Sequence, residues 1–129
     1  DGQTFEIDSP VGGSAVTRVT MCGIETRYRG HRDAGDPAGP FTQMATALVR
    51  RFAEGKAVRL ELVPRYPDGD FGVLRAYVEL PDGTMLNEQL LVEGLARADD
   101  RWVHLHQERF DLLQKQAAMD KLGVWSLRP

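Results

Sequence analysis

The order of apolar and polar positions divides this chain into a strand-rich first half and a helix-rich second half. Thr4-Phe5-Glu6-Ile7 alternates, and the turn cluster Pro10-Val11-Gly12-Gly13-Ser14 follows it. The pattern predicts a return strand from Ala15 to Ile24. Arg29 to Pro40 carries three glycines and two prolines and reads as a long loop, a length at which loops are often functional. Pro40 sits where a helix can start without losing a hydrogen bond. Met44, Leu48, Val49 and Phe52 recur at helical spacing, and Gly55 marks the end.

Ala57 to Val63 alternates again, with Val58, Leu60 and Leu62 on one side and Arg59 and Glu61 on the other. The tight turns Pro67-Asp68-Gly69 and Pro81-Asp82-Gly83 bracket a strand from Val73 to Leu80. Asn87 is the expected cap of a short helix that Gly94 stops. A last helix is expected over Leu105 to Leu122, with Leu105, Leu112, Leu113 and Ala117 toward the core and Gly123 as its stop. Trp125 is expected in the core. The succession of elements implies a small curled sheet with about three helices packed on it, an α+β class with much β, and a partly open five-stranded barrel is one arrangement that fits.

Composition changes this picture little. The 129 residues suit one domain over 1–129, and 42% apolar with 27% charged residues is ordinary for a globular chain. No stretch approaches the roughly 20 apolar residues of a membrane span, so no membrane partner is expected. The net charge of −3 opposes non-specific nucleic-acid binding, although Arg18, Arg27, Arg29 and Arg32 concentrate positive charge locally. Cys22 is the single cysteine and reads as a small buried hydrophobe; compartment cannot be read from it.

Five stretches carry a family resemblance: Met21-Cys22-Gly23-Ile24-Glu25-Thr26, Asp70-Phe71-Gly72, Ala76-Tyr77-Val78, Asn87 to Ala96, and Gly123-Val124-Trp125. In that order and spacing the chain resembles the staphylococcal-nuclease-like family over nearly its whole length. The resemblance implies an OB-like five-stranded barrel packed with helices. It sets Asp1-Gly2-Gln3-Thr4 just after a first strand, so the chain reads as part of a longer one. It also implies a calcium-dependent phosphodiesterase, and calcium needs several converging oxygens.

Carried over residue by residue, the family's chemistry thins out. One metal carboxylate position falls on Gln3 and the other on Glu25, beside Thr26. The two phosphate-clamping arginine positions fall on Thr20 and Val73. The general base falls on Tyr28, and the proline that precedes it in the family falls on Arg27. A preorganised donor is worth roughly 10²–10³ in rate and a general base roughly 10²–10⁴. Losing them together implies a catalytically degenerate domain that binds or scaffolds a partner: a protein, another part of the same chain, or single-stranded nucleic acid held by Arg27, Arg29, Arg32 and Phe71.

The alternative is an active phosphodiesterase with a relocated or metal-altered site. Arg18 and Arg75 each lie two residues from a vacated arginine position, a strand step of about 7 Å on the same face. Asp33 and Asp36 would then supply a base or hold Ca²⁺; the degenerate reading needs no cofactor. Other features are set apart: His104 and His106 are placed at a helix start, where their rings would diverge, Trp102 borders the nucleotide pocket by resemblance, and Glu61 needs an Arg or His partner if buried.

Overall fold

The computed structural model describes residues 4–7, 17–26, 40–63, 73–99, 101 and 103–126. Their elements run β1 (Thr4–Ile7), β2 (Thr17–Met21), β3 (Ile24–Glu25), α1 (Pro40–Ala53), β4 (Arg59–Leu62), β5 (Val73–Glu79), α2 (Leu86–Val92), β6 (Arg97–Ala98), α3 (Gln107–Met119) and a 3₁₀ turn (Gly123–Ser126). The molecule is a mixed α+β fold. β1, β2, β5 and β4 form a four-stranded sheet in that order, parallel between β2 and β5 and antiparallel elsewhere; β3 and β6 form a second, antiparallel pair. Among the described residues these two sheets do not close into the five-stranded barrel expected from the sequence.

Alternation along β2 and β5 builds the core. Val19, Met21, Ala76 and Val78 point to one face and are fully buried, joined by Leu86, Leu90 and Leu91 of α2. Each of the larger side chains among them contributes about 1.5–3 kcal/mol by leaving water. The opposite face carries Arg18, Thr20, Arg75 and Tyr77, and is where the candidate site is found.

The expected return strand breaks in two. Cys22 and Gly23 form a turn between β2 and β3, with Gly23 at φ +79°. A β-carbon at Gly23 would come within 2.8 Å of both His104 Cε1 and Phe110 Cε2, so only glycine lets the turn sit under these rings. The turn redirects the chain, and β3 leaves the main sheet to pair with β6.

Several expected core positions are corrected. In α1 the buried side is Thr42, Ala45, Leu48 and Val49, while Met44 is 51% exposed, because the buried stripe runs one step away from it. Leu62 is exposed at the end of β4. The last helix starts at Gln107, so Leu105 precedes it. Phe110, Leu113 and Ala117 share the inward side at helical spacing, and Leu112, two residues beyond Phe110, is turned outward. Trp125 is half-buried beneath the Arg97 guanidinium, 5.7 Å from its ring centre.

Asn87 is also not a cap. Met85 precedes the first turn of α2, and Asn87 lies inside the helix, fully buried. Its Oδ1 accepts from the Val78 amide at 2.9 Å, and its Nδ2 donates to the Cys22 carbonyl at 2.9 Å and to that of Ala76 at 3.4 Å. The side chain therefore ties α2 to β5 and to the end of β2.

Candidate functional site

The outer face of β2 and β5 brings two of the expected site positions side by side. In the parallel register Arg18 faces Val73 and Thr20 faces Arg75. Thr4 of β1 is the antiparallel partner of Thr20, and their hydroxyl oxygens lie 2.9 Å apart. Thr20 is 8% exposed. Its hydroxyl is engaged and it is packed between neighbours, so it offers no charge to a phosphate. Arg18 lies on the same face and keeps an exposed, long ion pair of 3.9 Å with Glu6, its partner on β1. Arg18 and Arg75 thus share a face, displaced diagonally across two strands.

Further along this face Tyr77 is covered by the segment leading into α3. His104 and His106 lie ahead of the helix rather than at its first turn, and their rings converge on Tyr77 instead of diverging. The Tyr77 hydroxyl is 2.7 Å from His104 Nδ1, and the His106 ring stands edge-on to Tyr77 with ring centres 4.4 Å apart. The His106 amide donates to the same His104 Nδ1 at 3.3 Å. Two donors on Nδ1 leave the ring's proton on Nε2, which is buried without a hydrogen-bond partner among the described residues. Glu61, the register partner of Tyr77 on β4, accepts from His106 Nε2 at 3.1 Å. Glu61 is exposed, so this contact serves position more than charge burial.

Burial sets the titration of this corner. Desolvation pushes the Cys22 thiol up to about 12, against a hydrogen bond with Tyr77 that works to lower it. Desolvation, followed by the neighbouring Cys22, raises the Tyr77 phenol above its ordinary range. Desolvation and then the proximity of His106 hold His104 below its usual value, while Asp111 and Asp99 pull the other way. All three groups are consequently neutral at pH 7. Asp99 differs: burial works to raise it, but the Arg101 fork, at 2.9 and 2.7 Å, outweighs that and keeps its carboxyl low.

Glu25 ends β3, half-buried, with Arg97 of β6 as its register partner. Register partners project to one side of a strand pair, so an arginine shares the side of β3 and β6 on which Glu25 stands. Among the described residues no group of three or more His, Cys, Asp or Glu side chains is arranged to hold a metal ion. Glu25 alone does not fit a calcium site, which needs six to eight oxygens. Gln3, Arg27, Tyr28, Arg29, Arg32, Asp33, Asp36, Phe71 and Trp102 lie outside the described residues, as does the side chain of Val73.

The strand order, the Gly23 turn and the α2 anchor occur in a chain whose residues 18–127 match the profile described as staphylococcal nuclease homologue. This chain belongs to that family. Comparison with curated proteins gives no match. Within the nuclease homologue, the Tyr77, His104 and His106 cluster and the bridging role of Asn87 were not evident from residue order. The His-x-His spacing was visible, but its convergence on Tyr77 depends on α3 starting after it.

Proposed function

We propose that this nuclease homologue is a catalytically degenerate binding or scaffold module. The environment of Thr20 carries the reading. At a position where the family resemblance expects a phosphate-clamping arginine, the chain has a buried threonine whose hydroxyl is engaged by Thr4. The cation nearest in register is Arg75, across the strand pair. With Val73 at the second arginine position the resemblance assigns, Tyr28 at that of the base, and Gln3 at that of a metal ligand, Glu25 alone of the positions carried over keeps a charged group of the family's kind. We take the two sheets as parts of an OB-like five-stranded barrel whose outer face is kept for recognition.

The favoured partner is a protein or another part of the same chain, since a net charge of −3 works against phosphate binding. Single-stranded nucleic acid is the second reading, and the common face of Arg18 and Arg75 favours it.

One experiment separates these readings: labelled single-stranded DNA titrated with the protein, with calcium or with a chelator, followed by anisotropy and then by gel. The expected result is an intact oligonucleotide in every sample. Calcium-dependent cleavage would overturn the degenerate reading and direct attention to Asp33 and Asp36. Binding that weakens steeply with salt would select nucleic acid over protein as partner. In the variant Gln3→Asp/Thr20→Arg/Tyr28→Glu/Val73→Arg, cleavage should appear or rise above the parent.

A further inference from the structure

We propose that Val103-His104-Leu105-His106 is an acid-released strap over the sheet, held closed at its centre by the uncharged ring of His104. This inference concerns the fold's own response to pH and does not depend on the binding-module reading. Its basis is an inverted alternation. His104 and His106 turn inward against Tyr77, whereas Val103 is 93% and Leu105 75% exposed. A covering segment ordinarily tucks in its apolar side chains and leaves the polar ones to water. Here the imidazoles do the holding, and the apolar side chains contribute nothing to it.

Both ends of the strap are anchored independently of His104. Ahead of it the Asp99 amide donates to the Gly23 carbonyl at 2.9 Å, and the Asp99 carboxylate accepts from the Arg101 guanidinium at 2.9 and 2.7 Å. Behind it His106 Nε2 donates to Glu61 at 3.1 Å, and the His106 carbonyl accepts from the Phe110 amide at 2.9 Å in the first turn of α3. A charge on His106 would face the Glu61 carboxylate, so protonation there tightens this end.

The centre responds in the opposite sense. The His104 ring lies over the Gly23 turn and beside Phe110, with ring centres 5.2 Å apart. Its Nδ1 faces the Tyr77 hydroxyl and the His106 amide, and its Nε2 is buried without a hydrogen-bond partner among the described residues. The titratable groups around it are Cys22 of the β2–β3 turn, Tyr77 of β5, Asp99 after β6, His106 and Asp111 of α3, with Glu61 of β4 beyond His106. Asp99 and Asp111 favour a proton on the ring, but burial and His106 outweigh them, and the Asp99 carboxylate is committed to Arg101. An added proton therefore meets the His106 amide, itself a donor, and brings a charge under cover. Swinging outward hydrates that charge while both anchors stay in place. Beneath the ring lies the Tyr77 hydroxyl, which is also the hydrogen-bond partner of the buried Cys22 thiol. Opening the strap thus uncovers the way to Cys22. The closed form holds above the ordinary histidine value and gives way as pH falls through the lower folded-state value.

The test is labelling of Cys22 by dithiodipyridine, which reacts with thiols in acid as well as at neutral pH. Rates are divided by those of the guanidinium-unfolded chain at the same pH, so that only access is read. From about pH 7.5 to about pH 5 the ratio for the parent should rise, by up to about tenfold per pH unit, as one proton is taken up. Adding about 1 M urea should leave the ratio unchanged, because opening a short strap exposes little surface. His104→Gln takes no proton and should give a flat profile, whatever its level. His104→Ala removes the central contact and should raise the ratio by about tenfold at neutral pH. A parent ratio that stays level down to about pH 5 would overturn the proposal, as would a rise in His104→Gln as steep as the parent's. So would an acid rise that urea multiplies, since global unfolding would then carry the labelling.

Discussion

Thr20 and Arg75 stand opposite one another across the parallel β2–β5 pair, so a threonine engaged by Thr4 is bordered by an arginine from the next strand. This relationship argues that Thr20→Arg would place two guanidinium groups together in a packed position and remove the contact with Thr4. The substitution should destabilise the domain by about 1–3 kcal/mol in urea unfolding. Adding Arg75→Ala should recover part of that loss. A Thr20→Arg variant as stable as the parent would mean that this strip of sheet accepts a second cation after all.

Asn87 is the second sensitive point. It is buried, and it satisfies the Val78 amide and the Cys22 carbonyl with one side chain. Asn87→Ala leaves both without that partner, at about 1–3 kcal/mol for each unsatisfied group. A total loss of about 3 kcal/mol is expected from denaturant titration. Asn87→Asp should be worse, because the carboxylate cannot donate to the two carbonyls and brings a charge into the core. Losses below about 1 kcal/mol for both variants would remove Asn87 from the set of structural anchors.

Cys22 is 2% exposed, and burial pushes its thiol up to about 12. The reactive form is the thiolate, so the native protein should resist a thiol reagent at about pH 8, near the ordinary thiol range, and react fully once unfolded in guanidinium. The release of the chromophore from Ellman's reagent reports this directly. Rapid stoichiometric labelling of native protein would contradict the burial of the β2–β3 turn.

His104 links the fold to pH. Its folded-state pKa lies below the ordinary 6.5, first through desolvation and then through His106. The folded state therefore prefers the neutral ring. This contribution is fully present above about 6.5 and is lost as pH falls through the lower folded-state value. Protonation would also turn Nδ1 into a donor facing the His106 amide, which is a donor itself. Stability measured by urea midpoint should fall on acidification from about pH 7.5 toward about pH 5, an interval that brackets the ordinary histidine range. His104→Gln should flatten that slope even if it lowers stability throughout. Parallel profiles for parent and variant would assign the acid sensitivity to other groups.

Residue order alone carried the α+β class, the first strand, the extent of α1 and the stops at Gly55 and Gly94, where local rules suffice: alternation, helical spacing and glycines at positive φ. It also carried the family, through short motifs spread along the chain. Which side of each element faces inward was less legible. Met44, Leu105 and Leu112 are apolar at helical spacing yet exposed, because a periodic pattern tolerates neighbouring stripes and only packing selects one. For α3, Phe110 fills the space beside Tyr77 and the Gly23 turn, which leaves Leu112 outside.

The candidate site divides along the same line. Which residue type stands at Thr20, Glu25 or Tyr77 is a matter of residue identity and is visible in the chain itself. The pairing of Thr20 with Thr4 and Arg75, the bridge from Asn87 to Cys22, and the meeting of His104 and His106 at Tyr77 depend on strand register and on where a helix begins. Those contacts join residues far apart in sequence, and local propensity carries no information about them. They arise when the buried faces of β2, β5, α2 and α3 are brought together, since side chains then have one set of neighbours instead of many.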